Sequence, residues 1–160
     1  MNIVIMRHGQ ADAYASSDEA RCLTARGQAD ALAAGQTLAK QGLVFDAVWV
    51  SPYRRAQQTA DQVLRSIEIA ERETNNSITP DSSPERFIAQ LTAADYNNLL
   101  LVSHNPFVSS LIGLLCDGAG RYGPPMSPAS MAMLTADDVL TGCCELAWLR
   151  HAPLFEQAKY

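Results

Sequence analysis

NIVIMRHG, residues 2 to 9, is the stretch whose reading decides the fold. Its first five residues form an apolar run too continuous for a strand with one wet face, which predicts a strand buried on both faces. The run stops at Arg7-His8-Gly9, where the glycine lets the chain bend sharply. Outward from there the same pattern recurs. Thr24 reads as an N-cap before a helix-favouring stretch from Ala25 to Gln41, with Gly42 placed where a helix ends. Residues 47 to 50 (AVWV) predict a second buried strand; Ser51-Pro52 predicts a turn with proline opening a helix that runs to about Ile69. Leu99 to Val102 predicts a third strand, Ser103-His104-Asn105 a loop, and Pro106 the start of an amphipathic helix ending near Gly118.

Three strand-loop-helix units imply an α/β fold: three layers, α/β/α, around a mostly parallel sheet, with ligands bound outside the carboxyl ends of the strands. The loops expected to converge there carry Arg7 and His8, Arg54 and Arg55, and His104. Asn75 to Pro84, rich in Asn, Ser, Thr and Pro, reads as a surface excursion followed by a short helix from Pro84 to Thr92. The stretch GAGRYGPPMSP after Asp117 predicts a Gly/Pro loop, and Met131 to Leu134 and Cys143 to Leu149 predict two further strands.

A chain of 160 residues, 48% apolar and without an internal repeat, is expected to fold as one domain spanning 1–160. Its formal net charge of -5 argues against a nucleic-acid-binding surface. The longest apolar stretches fall well short of the ~20 residues that span a bilayer, and no basic leader precedes the first strand, so the expectation is a soluble protein without a membrane or export segment. Cys22, Cys116, Cys143 and Cys144 show neither C-x-x-C nor zinc-type spacing and read as reduced core thiols, in keeping with the cytoplasm.

The loop residues suit phosphoryl transfer. A transferring phosphoryl group presents three equatorial oxygens and needs a nucleophile on its axis. Arginine's planar fork binds two such oxygens at once, and neutral imidazole near pH 7 is a competent nucleophile. His8 is the nucleophile candidate, with Arg7, Arg55 and His104 as the phosphate cage. A hydrogen bond from its other ring nitrogen, for instance to a backbone carbonyl, would set the required tautomer. Arg54 reads as solvated, and His151, after the last strand, as a surface residue. Ser103 and Asn105 either donate to phosphate or shape the turn. Metal ligation by His8, His104 and Asp12 is disfavoured, because two arginines beside the site repel a cation; neither a metal nor a cofactor is expected.

The motifs carry a family resemblance. Arg7-His8-Gly9 after a strand, Leu23-Thr24-x-x-Gly27-x-x-x-Ala31, Ser51-Pro52-x-x-Arg55-Ala56-x-Gln58-Thr59-Ala60 and Val102-Ser103-His104-Asn105-Pro106 together resemble the histidine phosphatase superfamily, most closely its SixA-type protein phosphohistidine phosphatases. The resemblance implies a phosphoglycerate mutase-like fold and a cofactor-independent phosphatase in which His8 becomes phosphorylated while Arg7, Arg55 and His104 hold the phosphoryl oxygens. Mutase-like and sugar-phosphatase members often carry R-H-G-E with an asparagine six residues after the nucleophile; Gln10 and Tyr14 stand there instead. Those members also place a glutamate acid in the region that here reads Ile78 to Glu85, where Asp81 and Glu85 are the candidates.

A poor alkoxide leaving group gains about 10²- to 10⁴-fold from a positioned acid, whereas the nitrogen of phosphohistidine leaves readily once protonated. The expected substrate is therefore a phosphohistidine-bearing protein, a phosphotransfer domain or carrier, with phosphate or another oxyanion in the pocket. Two alternatives remain: a small-molecule phosphomonoesterase or mutase using Asp81 or Glu85, and a non-catalytic phosphate-binding module.

Overall fold

The computed structural model describes residues 1–120 and 123–156; Arg121 and Tyr122 of the Gly/Pro loop lie outside the described residues. Six strands form one sheet: β1 (Asn2–Arg7), β2 (Phe45–Val50), β3 (Ile69–Thr74), β4 (Asn98–Ser103), β5 (Met131–Thr135) and β6 (Glu145–Arg150), in the order β3-β2-β4-β1-β5-β6. The β3-β2, β2-β4 and β4-β1 pairings are parallel; β1-β5 and β5-β6 are antiparallel. The described residues form four helices, α1 (Ala25–Lys40), α2 (Arg54–Val63), α3 (Pro84–Thr92) and α4 (Phe107–Asp117).

Both faces of the sheet are covered, as the unbroken apolar runs require. Alternate side chains go to opposite sides. Ile3, Ile5, Trp49, Leu99 and Leu101 pack with Phe87, Leu91, Phe107 and Leu111 of α3 and α4. Val4, Met6, Val48, Val50, Leu100 and Val102 pack with Ala34, Leu38, Ala56, Ala60 and Val63 of α1 and α2. The alanines of α1 are not filler: small side chains let this helix approach α2, and at Gly35 a Cβ would collide with the carbonyl of Val63. Thr24 caps α1 as expected, its hydroxyl accepting from Gly27 N at 3.0 Å.

Three expectations need correction. Helix α2 ends at Val63 rather than Ile69, and Ile69–Thr74 is an edge strand. Its sequence, IAERET, is mostly exposed and pairs on one side only, so it lacks the apolar run by which the central strands are recognised. Arg72 ties this strand to α2 through Asp61 at 2.7 Å and Gln57 Oε1 at 2.8 Å. Pro52 lies in a bend, two residues ahead of α2. Gly9 is not held at positive φ; it is needed for space, since a Cβ there would stand 2.6 Å from the carbonyl oxygen of Gly27 at the start of α1.

All four cysteines are free. Only Cys144 is buried, Cys22 and Cys116 are half-buried and Cys143 is exposed, so the core-thiol reading holds for part of the set. No described helix is long and apolar enough to cross a membrane.

Candidate active site

The carboxyl ends of β1, β2 and β4 meet above the sheet. β1 delivers Arg7 and His8, β2 runs into Ser51, β4 into His104, and the first turn of α2 brings Arg55. Main-chain bonds pin the loop after β1: His8 N donates to Ser103 O at 2.9 Å, Ala129 N to His8 O at 3.0 Å, and Gly9 N to Thr59 Oγ1 at 3.0 Å. Thr59 Oγ1 in turn donates to Arg55 O at 2.7 Å, so one hydroxyl couples the loop after β1 to the helix that carries the arginine.

His8 is 7% exposed, which makes its two ring nitrogens accountable. Nδ1 lies 2.7 Å from Gly9 O. A carbonyl only accepts, so Nδ1 carries the proton and Nε2 keeps its lone pair. Arg55 Nε donates to that Nε2 at 3.1 Å. Burial, opposed by the Gly9 bond and reinforced by Arg55 and Arg7, lowers the His8 pKa to about 4. The imidazole is therefore neutral at working pH, as a nucleophile must be.

His104 is fully buried, its ring centroid 5.0 Å from that of His8. Burial, then the neighbouring His8 and Arg55, lowers its pKa to about 2. Its Nε2 lies 2.7 Å from Ser51 Oγ, while its Nδ1 has no partner among the described residues. Tyr53 stands edge-on to His104 at 5.0 Å and lies under the Arg55 guanidinium, also at 5.0 Å. Arg7 donates from Nη1 to Met126 O at 2.8 Å, and its buried Nε has no partner among the described residues. Burial, followed by the charge of Arg55, lowers the Arg7 pKa.

The four residues singled out in the sequence, Arg7, His8, Arg55 and His104, are thus brought together. Others are not. Arg54 is exposed on α2. Glu85 sits at the start of α3, where its carboxylate accepts from Ser83 Oγ at 2.7 Å and is held below the usual carboxylate range by that bond. Asp81 is exposed beside a cleft of about 300 Å³ lined by Ser77, Arg86 and Phe87, near enough for its charge to raise the Tyr53 pKa. Burial is the largest cause of that rise, and the charge of Glu19 contributes more than that of Asp81. Ser103 Oγ donates to Ile78 O at 2.7 Å and Asn105 Nδ2 to Met126 O at 3.0 Å, so both shape the turns. Asp12 is exposed on the loop after β1. His151 is half-buried rather than on the open surface, its Nδ1 2.6 Å from Ser130 Oγ.

The arrangement of a nucleophile-ready imidazole, two arginines and a second buried histidine agrees with what comparison finds. Residues 3–76 match the model of the histidine phosphatase superfamily, branch 1. The chain is 37% identical over 150 residues to the phosphohistidine phosphatase SixA homolog of Haemophilus influenzae, covering 86% of this chain and 89% of that one. The chain belongs to the histidine phosphatase superfamily. Within that superfamily it is also 30% identical to phosphohistidine phosphatase SixA of Escherichia coli over 146 residues, 86% and 87% of the two chains. The structure of the protein histidine phosphatase SixA complexed with tungstate superposes with a TM-score of 0.85 at 30% identity, covering 93% of this chain and 96% of that one. The mostly parallel sheet between two helical layers is the phosphoglycerate mutase-like fold of this histidine phosphatase.

Two participants escaped the sequence reading of this histidine phosphatase site. Asp18 Oδ2 accepts from Arg55 Nη2 at 3.1 Å, its main-chain carbonyl accepts from Arg55 Nη1 at 2.6 Å, and its Oδ1 pairs with Arg21 Nη1 at 3.0 Å. These pairings hold the Asp18 carboxyl below its usual range, the Arg21 bond most of all. Arg21 adds a third positive charge felt by His8. Asp18 and Arg21 sit in an irregular segment with no periodicity; the only signal there was the presence of opposite charges three residues apart.

Proposed function

We propose that this protein removes the phosphoryl group from a phosphorylated histidine presented by another protein, a phosphotransfer domain or carrier in the cytoplasm, through a phospho-His8 intermediate, with the whole chain acting as one catalytic domain. The observation that carries this reading is the His8 ring itself: Nδ1–H tied to Gly9 O, which leaves the lone pair on Nε2, where a phosphoryl group would displace the bond from Arg55 Nε. The relatives named as phosphohistidine phosphatases, and the tungstate bound by one of them, support a site for a tetrahedral oxyanion.

In the first step the Nε2 lone pair of His8 forms a bond to phosphorus as the substrate's nitrogen–phosphorus bond breaks. A substrate imidazole carrying a proton on its other nitrogen leaves as a neutral ring, so no further proton is required. Phospho-His8 keeps its Nδ1–H, and the Gly9 carbonyl stabilises the positive charge that the ring acquires. Arg7, Arg55 and His104 supply donors to the three equatorial oxygens, over which the charge of the transition state is spread. In the second step water attacks phosphorus, the His8–phosphorus bond breaks, and dihydrogen phosphate leaves with the water oxygen while both electrons of the bond return to Nε2.

An exposed Asp81 and a Glu85 bonded to Ser83 suit a leaving group that needs little acid assistance. The test is a substrate panel: a stoichiometrically phosphorylated histidine protein, p-nitrophenyl phosphate and sugar phosphates, with rapid-quench trapping of acid-labile phosphate on the enzyme. Phosphohistidine should be hydrolysed fastest and the label should vanish in His8→Ala. Much faster hydrolysis of the small esters would instead mark a phosphomonoesterase, and binding without hydrolysis or label a phosphate-binding module.

A further inference from the structure

Ser51 stands at the end of β2 with no exposed surface, its main chain fully engaged: N donates to Val102 O at 3.0 Å and O accepts from Gln57 Nε2 at 2.8 Å. Its hydroxyl has two neighbours among the described residues. Tyr53 N, 3.5 Å away, can only donate to it. His104 Nε2, 2.7 Å away, is therefore the one group in reach that can accept the hydroxyl proton. Were Nε2 protonated instead, both neighbours would donate to Ser51 and its own proton would be left unpartnered in a fully buried site.

That arrangement decides what His104 can offer. A neutral imidazole has a single N–H; when Nε2 accepts from Ser51, the proton resides on Nδ1. Nδ1 is the buried ring nitrogen with no partner among the described residues. In the other tautomer it would present a lone pair to the phosphoryl oxygens and repel them. Because the low pKa of His104 keeps its ring neutral, charge cannot supply the missing donor.

We infer that Ser51 is a positioning residue that holds His104 in the Nδ1–H tautomer, so that a neutral histidine serves as a hydrogen-bond donor to the phosphoryl group. This inference rests on the reading of His104 as a phosphate ligand, but its first test does not need turnover. ¹⁵N spectra of histidine-labelled wild-type protein should show His104 Nδ1 protonated and Nε2 as the acceptor nitrogen, with and without inorganic phosphate. In Ser51→Ala the proton should redistribute towards Nε2, phosphate should bind more weakly, and kcat on phosphohistidine protein should fall about 10- to 100-fold, the effect of losing one buried hydrogen-bond partner. Ser51→Thr, which retains the hydroxyl, should restore the Nδ1–H signal. An Nε2–H signal in the wild-type protein overturns the inference, as does an unchanged His104 tautomer in folded Ser51→Ala. The wild-type spectrum decides the matter even if Ser51→Ala does not fold. The expected tautomer and phosphate affinity in a protein that fails to hydrolyse phosphohistidine would overturn the proposed substrate while leaving this inference standing.

Discussion

At the amino ends of the parallel strands Asp46 Oδ2 accepts from Asn97 N at 2.7 Å and Asn98 N at 2.9 Å, and Asn2 Nδ2 donates to Asn98 Oδ1 at 2.8 Å. These groups are half-buried or exposed and satisfy one another. At the carboxyl ends the polar residues lie deeper: His8, Ser51, Arg55, Thr59, Ser103 and His104 are all buried, yet Arg7 Nε and His104 Nδ1 have no partner among the described residues. A buried donor without an acceptor costs about 1–3 kcal/mol, so the two ends of one sheet are built on different terms. The amino end closes strand ends, and the carboxyl end gathers the side chains that the proposed reaction uses.

Substitutions at the two ends should therefore separate activity from stability. His8→Ala should have the largest effect, reducing phosphohistidine hydrolysis by about 10³-fold or more and removing acid-labile label, because no other neutral imidazole has a nitrogen poised for attack. Arg7→Ala and Arg55→Ala should each lower kcat by about 10²-fold or more with the circular dichroism spectrum unchanged, the loss typical of a missing oxyanion donor. A loss below about threefold in either would remove that arginine from the cage.

The depressed His8 pKa gives a third, smaller effect. With that group near 4 rather than 6.5, the acid limb of kcat/KM should fall near pH 4, leaving about 30-fold more activity at pH 5 than an unshifted histidine would allow. For folding the sign follows from the unfolded state binding more protons between the two values. The contribution of His8 is present in full above about pH 6.5 and is lost as pH falls through 4, a trend that urea titrations across the window should show and that His8→Gln should weaken. Asp18→Ala should reduce kcat/KM about three- to tenfold, since the half-exposed carboxylate orients Arg55 while the Asp18 main-chain bond survives. A rise in activity would show that Asp18 competes with phosphate for that guanidinium. Asp46→Ala should leave kcat unchanged and lower stability by about 1 kcal/mol in chemical denaturation; a loss of activity there would break the contrast between the two ends.

How much of this was legible in the chain depended on whether the signal was local. β1, β2 and β4 announce themselves because strands covered on both faces need continuous apolar runs, and the loops after them stand out as polar interruptions. β3 was missed because an edge strand with one partner carries charges that read equally well as the tail of a helix. Asp18 and Arg21 were missed because an irregular segment has no period to betray which of its charges fold inward.

The order of apolar runs, caps and glycines along the chain determined the layers, the three convergent loops and the meeting of Arg7, His8, Arg55 and His104 at their ends, since each of those signals spans only a few residues. Tertiary structure alone decided which nitrogen of His8 keeps its lone pair, which carboxylate grips Arg55 and which hydroxyl faces His104. The last of these joins residues 53 positions apart, and the contact between Arg55 and His8 joins residues 47 apart. A hydrogen bond forms or fails over a few tenths of an ångström, and that distance exists only after separate loops have been brought to the same end of the sheet.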